Sequence, residues 1–157
     1  MERRNLSRVS TGIELLMVVT IILITASLPI PRLQNRQIPA HEASVLAGIN
    51  AIHEAEMVFA KTHPDQGFTP ELATLASTDS DGGEPIIDNN LAGGRKSGYT
   101  FTYTAGEKSN GAIRSYNITA VPVQVGKTGW RRFYSDESGE IHYNASGSAN
   151  ASSPTIR

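Results

Sequence analysis

Two His-Glu pairs are the first residues whose types and spacing could do chemistry. His41-Glu42 and His53-Glu54 begin like a metalloprotease helix, in which two histidines four residues apart bind zinc and the glutamate is the general base. The position four residues after each histidine is apolar, so neither pair completes a zinc site. We expect His41 and His53 to lie on the solvated face of a helix.

An acidic stretch further along the chain carries oxygen ligands of the kind that calcium prefers. Asp79, Asp81 and Glu84 lie around two glycines. Calcium takes about six to eight oxygen ligands, and the spacing here does not match an EF-hand loop. A calcium site and an ordinary solvated turn are therefore both kept as interpretations, and no other cofactor is expected.

No other residue pattern indicates catalysis. The sequence has no glycine-flanked serine nucleophile and no phosphate-binding loop, and it contains no cysteine that could serve as a nucleophile or thiolate ligand. The 157 residues carry a formal charge of −1, so no overall basic surface favours nucleic acid. We expect a protein that is not an enzyme and does not bind nucleic acid.

Alternating residues predict an antiparallel sheet of three or four strands, over residues 99–104, 116–120, 130–135 and 140–144. Its aromatic residues are expected to form the core of a thin sheet rather than a ligand platform. They are Tyr99, Phe101, Tyr103, Tyr116, Trp130, Phe133, Tyr134 and Tyr143.

Two helices are predicted before the sheet. Val45, Ile49, Ile52 and Phe59 form one apolar stripe, which predicts an amphipathic helix to about residue 61. A short helix is expected from about residue 70 to 77. The last residues of the chain are small and polar, and we expect a loose tail there.

The chain begins with a basic stretch and then an apolar run. Three arginines precede residue 9, and residues 13–30 are almost entirely apolar, apart from Glu14 near their start. This order is typical of an export or membrane-anchoring segment. Pro29 and Pro31 lie at the end of the run, where each removes a backbone hydrogen bond and predicts a kink.

The run from Ile13 to Val19, taken together with Pro31, resembles the N-terminus of type IV pilins and type II secretion pseudopilins. In the register that the resemblance implies, the leader is cut after Val9 and Ser10 becomes the first, methylated residue. A second register cuts after Gly12 and begins at Ile13. In the family a glycine precedes the cut, and here that position holds Val9.

The resemblance implies an α+β fold. A long N-terminal helix, apolar in its first half, packs on a small antiparallel sheet of three to four strands. The implied organisation is a basic leader over residues 1–9, an apolar transmembrane or filament-core helix over 10–31, an amphipathic continuation over 32–62, and a globular head over 63–157.

The function that the resemblance implies is that of a structural subunit of a type IV pilus-like filament. The precursor would be held in the bacterial inner membrane with its head outside the cytoplasm, and would end in a cell-surface or periplasmic filament. Its partners would be further copies of itself, the prepilin peptidase, the assembly platform and the membrane. Glu14 would mediate assembly by neutralising the amino group of a neighbouring copy.

Two alternatives stay open. A pseudopilin of a type II secretion system would share the sequence features and build a short fibre. A membrane-anchored extracytoplasmic binding module would use the apolar segment only as an anchor and would not be processed.

Overall fold

The computed structural model describes residues 12, 14–21, 34–76 and 86–156. The chain divides into two compact units, Met1–Leu33 and Gln34–Arg157. In the first unit, residues 12 and 14–21 are helical, and we name this stretch α1. The second unit, which we name the head, contains every other described element.

The longest helix of the head is α2, over Gln34–Thr62. Val45, Ile49 and Ile52 lie on one face and are almost completely buried, as the spacing of the stripe predicts. Two short helices follow: α3 over Leu72–Ala76, and α4 over Asn89–Ala92. Asp88 caps α4 by accepting a hydrogen bond from the backbone N–H of Leu91.

The sheet that packs on α2 has five antiparallel strands in the order β1-β2-β5-β6-β7. A separate two-stranded sheet pairs β3 with β4. The strands are β1 Arg95–Lys96, β2 Tyr99–Ala105, β3 Lys108–Ser109, β4 Ala112–Ile113, β5 Tyr116–Pro122, β6 Arg132–Asp136 and β7 Ile141–Asn144.

One core fills the space between α2, the short helices and the inner face of the sheet. Phe101 and Ile118 from the sheet lie in the same buried cluster as Ile49 and Ile52 from α2 and Leu91 from α4. Burying such side chains is the main stabilising contribution in a small domain.

The fold class predicted from the sequence is wrong. The described residues contain no long apolar N-terminal helix; the long helix among them is the amphipathic α2. The main sheet has five strands rather than three or four, and a second sheet and short helices accompany it. The head is therefore sheet-rich and differs from the pilin arrangement that the resemblance implied.

The strands that the pattern missed are two residues long, too short to show alternation. Turn residues create them: Asn110 and Gly111 both have positive φ, which is the two-residue turn that joins β3 to β4. Ser97 and Gly98 form the corresponding turn between β1 and β2.

The loose tail predicted from the composition of the C-terminal residues is wrong, because these residues are hydrogen-bonded to the sheet. The N–H of Tyr143 donates to the carbonyl of Pro154 at 2.9 Å, and the N–H of Ile156 donates to the carbonyl of Ile141 at 2.9 Å. Ile156 also packs against the core. The chain end thus pairs with the outer edge of β7, which would otherwise present free backbone groups.

Candidate functional site

The N-terminal motif is described only in part. Gly12 and Glu14 lie on α1, and the side chain of Glu14 is exposed. The other residues proposed for processing or for a kink lie outside the described residues: Val9, Ser10, Ile13, Pro29 and Pro31.

The large apolar side chains of α1 are exposed to between 46% and 72%; they are Leu15, Leu16, Met17, Val18, Val19 and Ile21. Successive residues of an α-helix are about 100° apart, so five consecutive apolar positions cover its whole circumference. None of the helices in the described part of the chain combines the length and hydropathy that crossing a bilayer requires.

The acidic stretch proposed for calcium, Asp79, Asp81 and Glu84, also lies outside the described residues. Among residues 12, 14–21, 34–76 and 86–156, no three His, Cys, Asp or Glu side chains lie close enough to hold a metal ion.

Glu42 forms the most connected polar contact between α2 and the sheet. Its Oε1 accepts hydrogen bonds from the backbone N–H groups of Trp130 (3.0 Å) and Arg131 (3.1 Å). Its Oε2 accepts from Nε of Arg131 at 2.8 Å and lies 2.8 Å from a terminal guanidinium nitrogen. Burial works against the charge of Glu42, but these donors outweigh it and hold the pKa of the carboxyl below its ordinary value.

Arg131 is held on its other side by aromatic rings. Its guanidinium carbon lies 5.6 Å from the ring centroid of Phe133 and 5.4 Å from that of Tyr143. Its carbonyl oxygen accepts a hydrogen bond from the hydroxyl of Tyr99 at 2.9 Å. The segment between β5 and β6, residues 123–131, is thereby fixed to the first turns of α2; we name it the β5–β6 loop.

Glu56 is the second buried carboxylate of α2 and is completely inaccessible. It accepts hydrogen bonds from the N–H of Thr69, at 2.9 Å, and from the Thr69 hydroxyl. The hydroxyl of Tyr103 donates to the carbonyl of Thr69 at 2.9 Å. Burial raises the pKa of Glu56 above its ordinary value, although the hydrogen bonds from Thr69 oppose this.

The two histidines expected on the solvated face of α2 instead face the head. His41 Nδ1 lies 3.2 Å from the carbonyl of Thr128, and His53 Nδ1 lies 2.7 Å from the hydroxyl of Tyr116. Both side chains are half-buried. The contacts connect structural elements and bring no second ligand or nucleophile to either ring.

The core interpretation of the aromatic residues is confirmed for Tyr99, Phe101, Tyr116 and Phe133, which are buried. It is wrong for Trp130, which is 55% exposed. Its ring packs over Gly126, where an added Cβ would lie 3.0 Å from the ring.

Exposed valines lie in the same segment of the chain as Trp130. Val123 and Val125 are exposed on the β5–β6 loop, and Val121 is exposed just before it on β5. We name Val121, Val123, Val125 and Trp130 the Val-Trp surface.

An open groove of about 480 Å³ adjoins the Val-Trp surface. Val123 lines one part of the groove, and the turn between β1 and β2 lines another part. Arg95, Lys96 and Asp88 contribute the charges, with Nζ of Lys96 at 2.7 Å from the carboxylate of Asp88. The groove therefore holds Val123 together with Arg95 and the Lys96–Asp88 ion pair.

Comparison of the chain with protein-family models, with curated proteins and with solved structures finds no match in any of the three. The resemblance to pilins stays a prediction from the residues of the N-terminal segment.

Proposed function

We propose that this chain is a non-catalytic structural subunit that assembles into a pilus-like filament through its N-terminal segment. The supporting observation is that α1 exposes apolar side chains around its whole circumference. An amphipathic helix that packs on one partner needs only a stripe, whereas α1 needs surroundings that are apolar on all sides. A bilayer supplies such surroundings before assembly, and a bundle of identical helices supplies them afterwards.

Glu14 is the charged residue within the described part of α1, and it is exposed there. A carboxylate among apolar helices costs several kcal/mol unless a cation pairs with it. In the proposed filament that cation is the amino group of a neighbouring copy. The precursor would be a single-pass protein of the bacterial inner membrane with its head outside the cytoplasm.

The decisive experiment compares Glu14→Ala with Glu54→Ala in native cells. Glu54 is an exposed glutamate on α2 and serves as the matched control. We expect Glu14→Ala to leave the amount of membrane-held protein unchanged and to abolish the protein sheared from the cell surface. Normal surface filaments from Glu14→Ala would contradict the proposal. The mass of the N-terminal peptide in the sheared material distinguishes a start at Ser10 from one at Ile13.

A membrane-anchored binding module is the second candidate, and the groove beside the Val-Trp surface is the observation that favours it. In that case Glu14 is dispensable, the N-terminal peptide begins at Met1 and all the protein stays with the membrane. A pseudopilin would build a short periplasmic fibre, so shearing should release no protein from the cell surface even with Glu14 intact.

A further inference from the structure

The Val-Trp surface lies at the end of the head where α2 begins. His41 and Glu42 in the first turns of α2 contact Thr128 and Trp130 in the β5–β6 loop. Gln34, the first residue of the head, lies about 12 Å before Glu42 along the helix axis, at about 1.5 Å per residue. The loop therefore lies at the end of the head from which the chain leads back into residues 1–33.

The chemistry of this end is that of an interfacial membrane contact. Valine side chains and a tryptophan are exposed together, and tryptophan is enriched where one side of a ring meets hydrocarbon and the other meets water. The ring of Trp130 packs on Gly126, which holds it in place. The backbone N–H of Trp130 donates a hydrogen bond to the carboxylate of Glu42. The aromatic group is thus presented outward without a loss of side-chain freedom on binding.

Positive charge borders the same surface. Arg95 lines the groove with Val123, Lys127 lies within the β5–β6 loop, and Arg132 begins β6. Two carboxylates in this part of the head have cationic partners: Glu42 pairs with Arg131, and Asp88 pairs with Lys96. Arg95, Lys127 and Arg132 add positive charge beside the loop that carries Val123, Val125 and Trp130.

We infer that the Val-Trp surface docks on an anionic lipid bilayer, with Val123, Val125 and Trp130 in the interface and Arg95 and Lys127 against the headgroups. The charge complementarity and the position at the α2 start together identify this occupant. This inference rests on the proposed function in one point, namely that residues 1–33 are held in the bilayer on which the surface docks. A head docked in this way would be held at the membrane until assembly draws it off.

Trp130 is the single tryptophan of the chain, so its fluorescence reports on this surface alone. The full-length chain is incorporated into vesicles of phosphatidylcholine, with or without phosphatidylglycerol. With phosphatidylglycerol, we expect the emission of Trp130 to move to shorter wavelength and to be quenched by brominated lipids. Both effects should weaken as salt is added, because exposed charges are screened.

Lys127→Gln and Arg95→Gln should each lower the equilibrium constant for docking about fivefold, since one basic residue near an anionic surface contributes about 1 kcal/mol. Lys61→Gln is the matched control. It removes the same charge from the last turn of α2, about 30 Å from Glu42 along the helix axis, and should leave the quenching unchanged.

Two outcomes would overturn the inference. One is that brominated lipids fail to quench Trp130 in phosphatidylglycerol vesicles. The other is that the emission shifts only as protein density rises, with no lipid quenching, which would assign the surface to a second copy. Insertion of residues 1–33 is measured separately by resistance to extraction at high salt. Salt-sensitive quenching therefore tests the surface whether or not the N-terminal segment inserts.

Discussion

Glu42 and Glu56 lie about four helical turns apart on the same face of α2, and each accepts backbone N–H groups from a different part of the head. Their environments differ in two respects: Glu56 is buried more deeply, which raises its pKa, and Glu42 has a cationic partner, which lowers its pKa. Glu42 also meets the guanidinium of Arg131, whereas the partners of Glu56 are the N–H and hydroxyl of Thr69. The pKa of Glu42 is therefore lowered and that of Glu56 is raised.

Glu42→Ala should lower the free energy of unfolding by about 2 to 3 kcal/mol, because it leaves the N–H groups of Trp130 and Arg131 and the guanidinium without their acceptor. This is below the loss of about 3 to 5 kcal/mol for a fully buried pair that loses one partner, since Arg131 keeps 36% of its side chain exposed. Urea unfolding measures the change. Glu54→Ala, on the exposed face of the same helix, should alter stability by less than about 0.5 kcal/mol. We name the contacts of Glu42 with Trp130 and Arg131 the Glu42 clamp; equal effects of the two substitutions would refute its stabilising role.

The free energy of unfolding should fall at acid pH because Glu42 becomes protonated. Because its pKa is lower in the folded protein, the carboxylate stabilises the fold above the ordinary value of 4.5, and this contribution is lost as the pH falls through the folded pKa. Glu42→Gln should therefore flatten the acid limb of a plot of unfolding free energy against pH. An unchanged acid limb in this variant would assign the acid sensitivity to other groups.

Glu56 should give the opposite dependence. Burial raises its pKa in the folded protein. The contribution of Glu56 to the free energy of unfolding is therefore complete below pH 4.5 and is lost as the pH rises through the pKa of the folded state. In Glu56→Gln this decline should disappear, because the amide does not titrate. Urea unfolding between pH 2 and pH 9 tests both glutamate variants in one series, and the prediction fails if Glu56→Gln retains the decline of the native protein.

Gly98→Ala should destabilise the head more than Gly111→Ala. Both glycines have positive φ, +75° and +87°, so both substitutions carry the strain of about 1 kcal/mol for a left-handed residue. A Cβ at Gly98 would lie 2.7 Å from Thr128, whereas a Cβ at Gly111 meets nothing within 4 Å. We expect a further loss of about 1 to 3 kcal/mol at Gly98. Thermal unfolding of the two variants ranks them, and Gly98→Ala,Thr128→Ser should recover part of the loss.

Removal of residues 154–157 should open the outer edge of β7. The N–H of Tyr143 then loses the carbonyl of Pro154, and its hydrogen exchange should accelerate. Removal of Arg157 alone is the control, because it leaves Pro154 and Ile156 in place. Equal protection of the Tyr143 amide in both truncated proteins would show that the edge is closed by something other than the chain end.

The sequence predicted those elements whose periodicity is long enough to read. The stripe from Val45 to Phe59 and the alternation from Tyr99 to Thr104 became α2 and β2. The two-residue strands escaped because only the positive φ of Asn110 and Gly111 creates β3 and β4. The chain end looked disordered because backbone pairing with β7, rather than apolar burial along its length, holds it.

The candidate site was less predictable for a related reason. Glu42 and Glu56 fall in step with the apolar stripe of Val45, Ile49 and Ile52, and a carboxylate in that position signals a buried polar contact. Their partners, Arg131 and Thr69, come from segments whose approach to α2 depends on the tertiary fold. Trp130 resembled its strand neighbours in type, yet it lies two residues before the start of β6 and is exposed.

The Glu42 clamp has a mechanical consequence. Tension transmitted along the chain into Gln34 reaches the contacts of His41 and Glu42 with the β5–β6 loop before it reaches the strand ladders of the sheet. An ion pair beside the rings of Phe133 and Tyr143 carries part of this early load. A head pulled by its N-terminal segment would thus resist near the start of α2, through buried Ile38 and the Arg131 ion pair together, before its strands were strained.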